Sequence, residues 1–229
     1  MVTGDWLGAL LQTTDSGFPS GAYAHSAGLE GVVELGVAGD LEGLRNYIFE
    51  QLIPGLEHSE LPYLRFAYEA AQAGDFALLS ELGGEYGAGR LMREAHMASL
   101  SLGRQRLDML RRIRDCPLVA LFDAQCASLG GAHLVVVAAV QAVAAGIPLT
   151  AAQTAFAYAA VAAALAASFK LIRLGQIAAQ TLLTEALETL PRVIERSQQI
   201  PREEAGWFNP VLDIATARHE TAYTRLFIS

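Results

Sequence analysis

Apolar residues recur at three- and four-residue intervals along almost the whole chain, and no run alternates apolar and polar positions long enough to demand a strand. The spacing predicts helices over 5–13 and 25–35, the second stopped at Gly36 and followed by an N-cap at Asp40. A helix starting there runs to about 52, where Pro54 is expected to break or kink it, and another spans roughly 59–73. A short helix over about 75–83 ends in the glycine-rich stretch 83–89. That stretch reads as an interhelix connection, since it lacks the lysine and following Ser/Thr of a phosphate loop. Residues 90–114 give the best amphipathic helix, with Leu91, Ala95, Ala98, Leu102, Leu110 and Ile113 repeating at helical intervals and seven arginines on the other faces.

The 46 residues from Ala124 to Phe169 contain no Asp, Glu, Lys or Arg. Within them, 134–147 is short of the roughly 20 residues a membrane span needs. The stretch 151–169 is long enough but dominated by alanine, so both read as buried helices of a bundle. The architecture expected is all-α: one domain over 1–229, a bundle of roughly nine to eleven helices, with 201–229 as a docked C-terminal tail. Pro201 and Pro210 bracket a loop bearing Trp207 and Phe208, and 211–221 reads as a helix with Val211, Ile214, Ala215 and Arg218 at helical spacing. A terminus this rich in apolar side chains is costly to leave in water, so it docks on its own domain, on another chain, or on both.

Composition narrows the functional classes. A net charge of −8 disfavours a nucleic-acid partner. Residues 1–89 carry thirteen acids against Arg45 and Arg65, whereas 90–229 carry eleven acids against fourteen Lys and Arg. This asymmetry favours charged protein partners or docking of one half on the other. Cys116 and Cys126 are too few for a disulfide framework, and an acid stands near the N-terminus where a signal peptide would be positive, so a cytoplasmic location is expected.

Candidate chemistry is thin. The five histidines are scattered, and only 57–60, 94–96 and 219–220 bring a carboxylate near an imidazole, with no chelating pair specified. Ser20, His25 and Ser26 cluster in sequence, but no Gly-x-Ser-x-Gly elbow surrounds them. The segment 18–30 makes more sense as shape. Phe18-Pro19 fixes an extended approach, Gly21 permits a tight turn, and a helix begins near His25 with Ser26 as available N-cap and Gly28 inside it, paying roughly 1 kcal/mol for close packing.

Phe18-Pro-Ser-Gly21-Ala-Tyr23-Ala-His25-Ser26-Ala-Gly28-Leu-Glu30, read with Asp213-Ile-Ala, His219-Glu220 and Arg225-Leu226-Phe227-Ile-Ser229, resembles the signature of the urease accessory protein UreF family. Arg173, Gly175 and Gln176, followed by Gln180, resemble a late-helix motif of that family, and Arg93 through Gly103 its middle helix. Ala22 stands where the family has a second glycine. The resemblance implies an all-helical homodimer without catalytic residues, bridging the accessory protein UreD (UreH) to the GTPase UreG on apo-urease. No cofactor would be held by this chain; nickel and GTP would belong to the wider complex. Partner-contact residues carried over are Gly21, Tyr23, His25, Ser26, Gly28, Glu30, Arg173, Gly175, Gln176, Asp213, His219, Glu220, Arg225, Leu226 and Phe227. Both chain ends are expected to converge, with Tyr23 and Arg225 in one GTPase-facing patch, and the alanine-rich helix around Tyr158 to form the dimer surface. Two other classes compete: a membrane-associated helical protein, favoured by the charge-free run, and a small helical metal-binding enzyme.

Overall fold

The computed structural model describes residues 5–19, 21, 24–126, 130–220, 222 and 225–228, and among them every regular element is helical. In chain order these are α1 (Asp5–Thr14), α2 (Leu29–Glu34), α3 (Leu41–Asn46), α4 (Ile53–Gly55), α5 (Leu61–Ala73), α6 (Phe76–Ala88), α7 (Arg93–Ile113), α8 (Pro117–Gln125), α9 (Leu134–Ala144), α10 (Leu149–Leu171), α11 (Gln176–Ser197) and α12 (Pro210–His219). The chain is the all-α single-domain bundle expected of its periodicity.

Local chemistry places most ends. The Asp40 carboxylate accepts from the Gly43 amide at 2.9 Å, Asp75 accepts from Leu78 at 2.9 Å and Asn209 from Leu212 at 3.1 Å, each capping a helix start. Two expectations fail. Pro54 does not break the helix: Tyr47–Leu52 and Leu56–Glu60 are π-helical turns that join α3, α4 and α5 into one continuous run. The wider i→i+5 spacing is the adjustment by which the proline and its missing amide are absorbed. Most of the glycine-rich stretch is helix rather than connection, forming the second half of α6, with Gly83 and Gly87 as contact surfaces. A Cβ on Gly83 would lie 2.5 Å from Gly131 Cα, and one on Gly87 would lie 2.7 Å from His133 Nε2.

Two core clusters lie side by side, with Phe156 of α10 packed against both. The first is built around α5, α6, α7 and α9, the second around α2, α10, α11 and Ala215 of α12. Within the charge-free region, α9 is the more enclosed helix; Val135, Val136, Val137 and Ala139 are fully buried. The α10 helix differs from the expectation of burial all round. By length and composition it could cross a membrane, but only a third of its most apolar window is buried, and its other side presents alanines around Tyr158 and Phe169 to the surface.

Acids of the first half meet arginines of the second. Arg196 holds Glu57 through two bonds of 2.8 and 2.6 Å, Arg202 binds Glu81 and Glu85 at 2.6 Å, and Arg90 pairs with Glu60. The uneven charge distribution is therefore used in part to dock one half on the other. Of the arginines on the amphipathic helix, Arg106 is folded inward, donating to Gln141 Oε1 at 2.6 Å, and burial pulls its pKa down to about 10.

Candidate functional site: a tail clamped on the N-terminal motif

The N-terminal motif forms a pinned turn. The Asp15 carboxylate accepts from Gly17 N, which tightens the approach to Phe18, and the Arg106 guanidinium stands 5.6 Å above the Phe18 ring. Gly21, at φ 80°, presses on the Gln105 side chain where a Cβ would collide. Ala27 and Gly28 then take successive left-handed conformations, φ 55° and 84°. The helix consequently starts at Leu29, later than expected, and Gly28 sits just outside it, in a geometry that favours glycine, instead of weakening its interior. The N-cap position falls to Gly28 and not to the expected Ser26, although Ser26 Oγ still accepts from the Glu30 amide at 3.3 Å, and the buried Tyr47 hydroxyl donates to Ala27 O at 2.7 Å.

That turn delivers Glu30, 4 % exposed, into the first turn of α2. Against α2 lies α12, whose inward face is Leu212, Ala215, Thr216 and His219, spaced three, four and seven apart; Val211, Ile214 and Arg218 turn outward. Approach is close because α2 carries glycine at the crossing. A Cβ on Gly28 would stand 2.5 Å from Leu212 Cδ1, and one on Gly31 would stand 2.6 Å from Ala215 O.

The two chain ends meet at a buried ionic node. Glu30 accepts from His219 Nε2 at 2.8 Å, from the Leu226 amide at 2.7 Å and from the Phe227 amide at 3.0 Å. Glu94, at the start of α7, takes His219 Nδ1 at 2.9 Å and Arg225 Nη1 at 3.2 Å. Ile228 N donates to Ala24 O at 2.8 Å, and the Lys170 ammonium lies 4.8 Å from the centroid of the buried Phe227 ring. Both imidazole nitrogens face carboxylate oxygens, so each must carry a proton to satisfy them, and His219 is an imidazolium. Burial alone would lower its pKa, but the hydrogen bonds and charges of Glu94 and Glu30 outweigh that and raise it above the ordinary histidine value. His25 beside the node goes the other way, lowered by burial and partly restored by the Glu94 charge.

The expected site residues divide accordingly. Ser26, Gly28, Glu30, His219, Arg225, Leu226 and Phe227 are brought together, with Gly21 and His25 on the adjoining turn. Glu220 is at the rim, facing Arg93 at 3.4 Å. Asp213 sits in the first turn of α12, where burial raises its pKa. Arg173, Gly175 and Gln176 are exposed on the connection that follows Lys170 and opens α11. Tyr23 lies outside the described residues. Sequence reading omitted Gly31, Glu94 and Lys170 from the site. The three-residue spacing of Gly28 and Gly31 is a signal of close helix packing, whereas nothing in the sequence marks Glu94 as a partner for His219. Burial also separates holders from contacts: Glu30 and His219 are enclosed, while Leu226 and Ile228 are each 64 % exposed.

Among the described residues no group of three or more His, Cys, Asp or Glu is arranged to hold a metal ion. His133 is fully enclosed: its Nδ1 is 3.1 Å from Ser99 Oγ, and its ring meets Tyr86 and His96 edge-on.

The family profile UreF matches residues 39–187. Over 223 residues the chain is 31 % identical to the urease accessory protein UreF of Arthrobacter sp. (strain FB24), covering 96 % of each chain. The chain belongs to the UreF family. It is likewise 32 % identical over 223 residues to the UreF of Dechloromonas aromatica (strain RCB), covering 97 % of each, and 31 % identical over 224 residues to that of Haemophilus influenzae (strain PittEE), covering 97 % of this chain and 95 % of the relative. The profile match includes Glu94 but stops short of Glu30, His219 and the 225–228 segment, whereas the full-length UreF alignments extend over nearly the whole chain.

Proposed function

We propose that this chain is a non-catalytic scaffold of urease maturation, bridging UreD (UreH) to the GTPase UreG while nickel, the cargo, is inserted into apo-urease. The relatives' name of urease accessory protein supports the role in maturation. The observation that carries the scaffold reading is the clamped tail. A buried carboxylate, a buried imidazolium and two backbone amides are spent on holding a short terminal segment whose outward side chains, Leu226 and Ile228, remain apolar and exposed. An ordered apolar segment bordered by Arg225, Arg93 and Glu220 suits a protein surface. The exposed face of α10 around Tyr158, poor in charge and rich in alanine, is the corresponding reading for the homodimer contact.

Co-purification of UreG and UreD with the full chain, with a chain lacking 205–229 and with Arg225→Ala tests the bridge. Loss of UreG from the truncated chain and from Arg225→Ala, with circular dichroism of the substituted protein unchanged, is expected. Undiminished recruitment by both would overturn it. Tyr158→Asp is expected to elute as a monomer; an undisturbed dimer would remove α10 from the interface.

A further inference from the structure

We propose that the node is a proton-dependent latch: protonated His219 cements the C-terminal segment to α2 and α7, and loss of that proton releases residues 225–228. This deepens the scaffold reading by adding regulation to the same surface. The argument begins with charge balance. Two carboxylates, Glu30 and Glu94, with side chains 5 % and 9 % exposed, face one imidazolium, 3 % exposed, and one guanidinium, Arg225. With His219 charged the cluster is neutral. With His219 neutral, one ring nitrogen becomes a bare lone pair directed at a carboxylate 2.8 or 2.9 Å away, and the buried site carries an uncompensated negative charge.

Other titratable and charged groups border the node. From α7, Arg93 is exposed and engaged with Glu220. From the turn, His25 is held toward its neutral form by burial. From α2, Glu34 is one turn beyond Glu30 and shares a surface cleft with Arg218 of α12. Asp213 lies at the far end of α12, and Lys170 of α10 sits over Phe227.

The cheapest relief is local. Among the described residues the segment is tied down by the Leu226, Phe227 and Ile228 amides, the Arg225 bond and one buried ring, Phe227, and none of these four residues belongs to a helix, so it can leave while α2, α7 and α12 stay packed. The direction follows from the raised pKa of His219. Latching is fully present below the ordinary histidine value near 6.5 and is lost as pH rises through the higher folded-state value.

The test is an NMR titration of the full chain between pH 6 and 9.5, following the Leu226 and Phe227 amides and the His219 ring nitrogens. In the wild type the amides and the ring are expected to titrate together, with a midpoint above 6.5, from hydrogen-bonded to random-coil positions. In His219→Gln, which has no titrating proton, the segment is expected to be released throughout. Glu94→Gln removes one of the two stabilising charges and is expected to bring the midpoint down by about one pH unit. Amide positions invariant over this range in the wild type, or an unchanged midpoint in Glu94→Gln, would sink the latch. Because the titration uses the isolated chain, its failure leaves the bridging role untouched. Conversely, UreG capture that ignores pH while the amides titrate would count against the bridging surface and leave the latch standing.

Discussion

Glu30 does the work of several residues: one carboxylate satisfies two tail amides and one imidazole nitrogen, while its own amide is capped by Ser26. Replacing it with alanine strands three donors and leaves His219 with only Glu94 as an acceptor, a loss of about 3 kcal/mol by the usual cost of breaking a buried pair. The expected outcome is a sharp rise in hydrogen exchange at Leu226 and Phe227, with helical content retained. Glycines nearby act through space. At Gly31 the neighbour that a Cβ would strike is the Ala215 carbonyl, backbone that cannot swing aside, so Gly31→Ala is expected to push α12 off α2 and cost about 1–3 kcal/mol in chemical denaturation. Glu30 and His219 were legible from the sequence through the resemblance of both chain ends to the UreF signature. Their role as internal holders was not, because burial depends on which helices pack, and a sequence separation of 189 gives no hint of the distance.

At the level of helices, periodicity identified most elements but gave no bounds for α8 and α11, and two departures, at Pro54 and in the glycine-rich stretch, share one cause: tertiary packing overrode local preference. Pro54 was absorbed by π-turns because the run from α3 to α5 has core contacts on both sides of it, and the Gly83–Gly87 stretch became helix because Gly131 and His133 press against it. The adjacent glycines of α6 allow the two influences to be separated. A Cβ on Gly84 meets nothing within 4 Å, so Gly84→Ala gains only helix propensity and is expected to stabilise by about 0.5–1 kcal/mol. A Cβ on Gly83 meets the backbone of Gly131, so the same substitution there is expected to destabilise despite the same gain in propensity. Opposite shifts of the urea midpoint are the measurement, and equal shifts would mean that α6 is not pressed on Gly131.

Across the whole molecule, two buried histidines respond to pH in opposite senses and in different places. His219 joins the chain ends and is held charged, so its contribution is lost on the alkaline side. His133 is enclosed in the first core cluster's helix contacts, where burial first, then the His96 and Arg90 charges, pull its pKa down to about 4. Between pH 6.5 and about 4 the unfolded chain takes up a proton at this residue that the folded chain refuses, so stability falls as pH falls through that window. In His133→Gln the side chain can still meet Ser99 Oγ but does not titrate. Its urea midpoint is therefore expected to fall less steeply between pH 6.5 and 4 than that of the wild type, whatever its absolute stability. His219→Gln should leave that acid limb no shallower, since a histidine held charged in the fold favours the folded state on acidification. Equal acid slopes in wild type and His133→Gln would mean that the α7–α9 contact around Ser99 and His133 tolerates a charged imidazole.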